Sequence, residues 1–189
     1  MLTKADNKDY HPPTTPWIQN WIKALRSGEF NQAPGTLYRV NTAGDKCYCC
    51  LGVLMDSIET DHLAKTYDPS NNHVDESNLE TALLPLSILG DEVSITGKVA
   101  DHVKASIHIL LPINSAKLAT LQLNTALVDK MIATEEKPNA NLIASLGLNG
   151  GYEYEDCDMV VGASKLNDQY NATFEEIAEV IEAFGVVIT

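Results

Sequence analysis

The sequence predicts one α+β domain, and three observations carry that expectation. Helical periodicity is clearest towards the two ends, over 15–28 and 173–185; strand-forming residues interrupted by a turn fill 36–49; and 189 residues suffice for a core without disulfide or metal staples. The domain is expected to span 15–189, with 1–14 as an irregular arm in which His11-Pro12-Pro13 blocks a helix or a central strand.

The elements follow in order. Thr15 is placed to cap a helix, Pro16 suits its first position, and Trp17, Ile18, Trp21, Ile22 and Leu25 recur at helical spacing up to a stop at Gly28. A polar link over 29–32 leads to a β-hairpin: strand residues at 36–40, turn residues at 41–45, and a second strand from Lys46. The apolar run 50–58 reads as a short buried helix. The polar stretch 59–77, with Asp68-Pro69-Ser70-Asn71-Asn72, reads as a surface loop. Two or three strands are expected within 83–111, broken by Pro85, Gly90, Gly97 and Pro112. Asn114 or Ser115 then opens one helix through about Ala133, and Asn139 or Asn141 opens a short one ending near Gly147. After a glycine- and acid-rich loop over 149–158, Thr173 and Glu176 form a capping box for a last helix whose apolar face is Phe174, Ile177, Ala178, Ile181 and Phe184.

Charge is the most informative part of the composition. The net charge is −13, but it is uneven: residues 1–58 carry six basic and five acidic side chains (net +1), 59–149 carry six and twelve (net −6), and 150–189 carry one and nine (net −8). An acidic chain argues against general nucleic-acid binding, which requires clustered Lys and Arg. Both arginines, Arg26 and Arg39, fall in the first segment, so an anionic ligand is expected there. The N-terminal residues lack the basic-then-apolar pattern of a secretory signal, and no apolar run approaches the roughly 20 residues of a membrane span, so a cytoplasmic protein is expected. Cys47, Cys49, Cys50 and Cys157 are too unevenly spaced for a disulfide framework and poorly spaced for zinc; they read as reduced thiols, with no metal or cofactor.

Several segments share wording with a known group of proteins. Residues 21–28 (WIKALRSG), Gln32, residues 48–54 (YCCLGVL), Leu166-Asn167-Asp168 and residues 173–178 (TFEEIA) resemble, in this order, a widespread family of small uncharacterised bacteriophage and prophage proteins. The resemblance covers about 17–58 and 142–184, and against it 59–141 reads as an insertion. Here Gln169-Tyr170-Asn171-Ala172 stands where the family usually has a compact glycine turn. The resemblance implies phage origin and an accessory role directed at the host; it implies no activity.

No catalytic motif is legible, so catalytic residues are expected to be absent. Arg26 and Arg39 are the candidates for holding an anion, since guanidinium presents a planar fork to phosphate. Trp17, Tyr38 and Tyr48 could stack on a base; Gln32, Asn167 and Asp168 could hold ligand hydroxyls. Each has a plainer structural reading: Arg26 would pair with Glu175 or Glu179 of the last helix, and Asn167-Asp168 would start that helix. The expected function is a non-enzymatic binding protein that counters a host defence system by sequestering a small anionic nucleotide in a pocket near Arg26 and Arg39, with a homo-oligomer building the site. One alternative is an acidic inhibitor that occupies the nucleic-acid site of a basic host nuclease or polymerase. Another is a cysteine-dependent enzyme using Cys49 or Cys50, with a base from His62, His102 or His108.

Overall fold

The computed structural model describes residues 10–58, 73–74, 109–134 and 157–188. The expected strands within 83–108, the helix near 139–147 and most of the loop 149–158 lie outside them.

The first helix, α1 (Pro16–Arg26), follows its sequence signals. Pro16 occupies the first turn, and Ile18, Trp21, Ile22 and Leu25 form the buried face. Thr15 holds the N-cap position in an extended conformation but makes no side-chain cap bond, so here the proline rather than the hydroxyl sets the start. The hairpin joins β3 (Tyr38–Val40) to β4 (Lys46–Tyr48) in antiparallel register, with Tyr38 opposite Tyr48 and Arg39 opposite Cys47. Its turn is built by Asn41, whose carbonyl accepts from Gly44 N at 3.0 Å and whose side chain accepts from Ala43 N and Asp45 N at 2.9 Å each. Gly44 takes the left-handed conformation, φ +89°, that this turn demands. Helix α2 (Cys50–Ile58) follows directly and packs on α1.

Two segments expected to be irregular are strands. Asn31–Gln32 (β2) runs parallel to β4, and His73–Val74 (β5) pairs antiparallel with β3, which gives a four-stranded sheet in the order β2-β4-β3-β5. Two-residue strands have no periodicity of their own, and only the hairpin they flank defines them.

The second sheet, ordered β1-β8-β6-β7, is antiparallel throughout and joins the ends of the chain. Its members are β1 (Tyr10–His11), within the expected arm, β6 (Ile109–Ile113), β7 (Met159–Gly162) and β8 (Val186–Ile188). Strand β6 runs through Pro112, which the sequence reading takes as a break. The pairing with β8 covers Ile109 and Leu110, so Pro112 sits where β6 has β7 as its one described neighbour. That is where a missing N–H costs least. At the corner before β8, Gly185 has φ +68°, and a Cβ there would lie 2.6 Å from His11 O and 2.7 Å from Tyr10 Oη. Only glycine lets β1 lie against this corner, where Tyr10 Oη also donates to Phe184 O at 3.2 Å.

The single helix expected over 114–133 is two: α3 (Ser115–Leu118), capped by Asn114 Oδ1 accepting from Lys117 N at 2.7 Å, and α4 (Thr125–Thr134). The break has a tertiary cause. Gln122 N donates to Glu179 Oε1 at 2.9 Å and Asn124 N to Glu176 Oε1 at 3.2 Å, so the last helix captures backbone donors that a continuous helix would use. Leu118, Leu127 and Met131 still reach the core from both pieces.

Helix α5 (Ala163–Asp168) follows β7 and ends, rather than begins, at Asn167-Asp168. Its exit places Asn171 at φ +53° and returns Ala172 N to Leu166 O at 2.9 Å. Asparagine tolerates this left-handed position better than most residues. The last helix, α6 (Phe174–Phe184), carries the expected capping box: Glu176 N donates to Thr173 Oγ1 at 3.2 Å and Thr173 N to Glu176 Oε2 at 2.8 Å. Its Phe174, Ile177, Ala178, Val180, Ile181 and Phe184 are buried, against α1 on one side and β6 on another. As expected, α1, the hairpin, α2 and α6 share one core; β6, α3 and α4 add Leu111, Ile113, Leu118 and Met131 to it.

The cap yields a direct test. Thr173→Ala removes one acceptor and the hydroxyl partner of Glu176, and should lower stability by about 0.5–2 kcal/mol. Urea unfolding reads this, and an unchanged midpoint would contradict the energetic role of the cap.

Candidate functional site

The residues singled out by sequence fall into three places. The first is a polar bridge between β2 and the end of α5. Gln32 Nε2 donates to Asn167 Oδ1 at 2.9 Å and to Ala172 O at 2.7 Å; Asn167 Nδ2 donates to Ala33 O at 3.1 Å and to Asp168 Oδ1 at 2.6 Å; Gly35 N donates to the same Asp168 oxygen at 2.8 Å. Gln32, Asn167 and Asp168 are thus brought together, across more than 130 residues of chain. Asn167 is 2% exposed, so its bonds are made where water cannot replace them.

The thiols of α2 lie beside this bridge. Cys49 precedes the first turn, and its thiol is held below the usual range by the Cys50 thiol, with the N–H groups of Gly52 and Leu51 adding to the effect against burial and the charge of Asp168. Cys50 goes the other way, well above the usual range, because it serves as donor to Cys49 and is wholly buried. Its sulfur also lies 3.3 Å from Ala163 O, and its carbonyl accepts from Trp21 Nε1 at 2.8 Å. Burial likewise pushes up the Cys157 thiol, which lies just before β7 and donates to Met159 O at 3.3 Å. Among the described residues no three His, Cys, Asp or Glu side chains converge as metal ligands would.

The second place is the α1–α6 contact. Arg26 Nε meets Glu175 Oε1 at 3.0 Å and Arg26 Nη1 meets Glu182 Oε2 at 2.8 Å, so one guanidinium spans two turns of α6. Burial works against its charge, but the hydrogen bond and charge of Glu182, with those of Glu175, outweigh it and raise its pKa. Glu179, the other acid considered as a partner, is turned to Gln122 N. Every glutamate of α6 is therefore engaged within the fold: two with Arg26, Glu176 with the cap and Asn124, and Glu179 with Gln122.

The third place is the β2-β4-β3-β5 sheet. Tyr38 and Tyr48 are 2% and 4% exposed, with ring centroids 5.1 Å apart, and Phe30 meets Tyr48 at 5.1 Å, so these rings pack in the core. Arg39, the next residue after Tyr38 on β3, points the other way and is exposed. Trp17 lies apart from all of these, stacked on Trp21 at 6.5 Å with His11 at its edge, its buried indole N–H without a hydrogen-bond partner among the described residues. No described contact joins Arg26 to Arg39. Sequence reasoning missed Cys49 as a neighbour of Asp168 and missed Asn31 as a strand residue; neither lies in a local pattern that would reveal it.

Architecture and site define an α+β protein whose widely separated segments meet in one polar and apolar junction. The chain belongs to the family described as a domain of unknown function (DUF8296), which matches residues 17–185 and so includes 59–141. No curated protein and no solved structure matches the chain.

The Arg26 pairs are partly exposed, with the arginine side chain 31% accessible and the glutamates 64% and 51%, so solvent screens them. Arg26→Ala should lower stability by about 1 kcal/mol or less. The loss should shrink at about 1 M salt, where the Debye length is about 3 Å. Urea midpoints at two salt concentrations measure this, and a salt-independent loss would show that the stem of Arg26, not its charge, matters.

Proposed function

We propose that this chain is a non-enzymatic binding protein of bacteriophage origin, acting in the cytoplasm of the infected host, where it counters a defence system by sequestering a small anionic nucleotide. The observation that supports this reading is the contrast between the two arginines. Arg26 is committed to Glu175 and Glu182, whereas Arg39 stands exposed on a central strand and pairs with no carboxylate among the described residues. In a chain of net charge −13, an uncommitted guanidinium in the one segment without acid excess is the natural anchor for an anion. The anchor is therefore Arg39, and the role of Arg26 is to hold α1 to α6.

The acidic-inhibitor reading would use α6 as its contact surface, and there the carboxylates already serve the fold. A cysteine-dependent activity is the second reading, favoured by Cys49, whose thiol is lowered at the start of α2 beside Asp168.

Calorimetric titration with cyclic dinucleotides and cyclic ADP-ribose isomers tests the choice. A charge-assisted contact to phosphate contributes about 1.5–3 kcal/mol, so Arg39→Ala should weaken binding roughly tenfold to a hundredfold. Arg26→Ala should leave it within about twofold of wild type, since Arg26 acts on stability alone. If no nucleotide binds while a basic host protein co-purifies in a salt-sensitive complex, the acidic-inhibitor reading replaces this one. Loss of activity against the host system in Cys49→Ser alone would favour the enzyme.

A further inference from the structure

Cys49 and Cys50 are consecutive free thiols, both buried, at 4% and 0% exposure, and each is tied to a different part of the fold. Cys49 O accepts from Val53 N at 3.0 Å, which makes Cys49 the N-cap of α2. Its sulfur accepts from the N–H groups of Leu51 and Gly52, as a capping oxygen would. Cys50 faces its neighbours: its sulfur lies 3.3 Å from Ala163 O at the head of α5, and its carbonyl accepts from Trp21 Nε1 of α1 at 2.8 Å. The two thiols are also hydrogen-bonded to each other. The pair therefore sits where α1, α2 and α5 are held together. Cys47 and Cys157 bond elsewhere, to Asp45 O and Met159 O.

We propose that Cys49 and Cys50 form a peroxide-sensitive switch, in which a disulfide between the two neighbours opens the junction of α2 with α5. The switch goes beyond the anionic-ligand reading and does not depend on it. Its oxidant is hydrogen peroxide, a molecule little larger than water. The Cys49 thiolate attacks one peroxide oxygen, the O–O bond breaks, and the departing hydroxide takes up a proton and leaves as water, which gives the sulfenic acid. Cys50 then gives up its proton and attacks the Cys49 sulfur. The S–S bond forms, and the sulfenic hydroxyl leaves with that proton as a second water. One peroxide is reduced to two waters while two thiols are oxidised to one disulfide. Cys49 is the attacking sulfur because the Cys50 thiol and the two N–H groups favour its charged form, whereas burial keeps Cys50 protonated.

The junction cannot stay as it is once this bond closes. Consecutive Cα atoms lie about 3.8 Å apart, below the roughly 4.4–6.8 Å usual for a disulfide, so the backbone of the pair must turn out of the helical start. The Cys50 sulfur then leaves Ala163 O, and the Cys49 sulfur no longer caps α2. A disulfide closed under such strain is readily reduced, which makes the change reversible.

Intact mass and fragment mapping of the full chain after native treatment with hydrogen peroxide provide the test. Wild type and Cys47→Ser should each lose about 2 Da, with the link mapped between Cys49 and Cys50 and reversed by dithiothreitol. Cys50→Ser should instead hold a sulfenic acid at Cys49 that dimedone traps, and Cys49→Ser should show neither product. In oxidised wild type the amides of Leu51, Gly52 and Val53 should exchange hydrogen roughly tenfold faster or more, returning to the original rate on reduction. Peroxide that leaves both thiols open to alkylation after unfolding, or that links Cys47 or Cys157 in place of either, overturns the proposal. A Cys49–Cys50 disulfide with unchanged exchange over 51–53 overturns the switch as well. Mapping on wild type decides the matter even if a serine variant fails to fold, and the nucleotide titrations bear on neither outcome.

Discussion

The side chain of Asn167 is the constraint around which the rest of this fold is arranged. It is buried, and both ends of its amide are used: the oxygen accepts from Gln32, and the nitrogen donates to Ala33 O and Asp168. An amide left unsatisfied at such depth costs about 1–3 kcal/mol per lost partner, so β2 and the end of α5 are held at one separation. That separation lets Asp168 reach Gly35 N, sets α5 beside α2, and brings Ala163 O to the Cys50 sulfur. Trp21 completes the chain of contacts by donating to Cys50 O from α1. Segments far apart in the chain are thus the ones that touch one another.

Electrostatics follows the same economy. A strongly acidic C-terminal helix would repel its neighbours if its carboxylates were idle, yet each has a positive or N–H partner. Glu176 and Glu179 do this at the expense of the helix over 115–134, which they interrupt by taking two of its backbone donors. Arg26 neutralises the other pair. Among the described residues Arg39 pairs with no carboxylate, and that contrast with Arg26 supports the proposal about a ligand.

How much of this was legible in sequence depends on the range of the interactions. Helices α1 and α6 and the hairpin were readable because their signals are local: Pro16 and the spacing of Trp17 to Leu25, the Thr173–Glu176 box, and Asn41 to Asp45. Strands β1, β2, β5, β7 and β8 have two to four residues each, and only their partners make them strands. Asn167-Asp168 read as the start of the last helix because such residues initiate helices; here burial against β2 makes them the end of α5. Gln32, Asn167 and Asp168 were named together as candidates, but that they meet could not be read, since more than 130 residues separate the bonded atoms. For Arg26 the pairing with Glu175 was foreseeable, whereas the second partner, Glu182, depended on how α1 crosses α6.

A double-mutant cycle between Gln32 and Asn167 measures the central constraint most directly. With Gln32→Ala, Asn167→Ala and the double variant compared by urea unfolding, interlocked ends predict a coupling of about 0.5–3 kcal/mol, with the double variant costing less than the sum of the two single changes. Losses that add to within about 0.3–0.5 kcal/mol would show that the two side chains act independently, and would contradict the account.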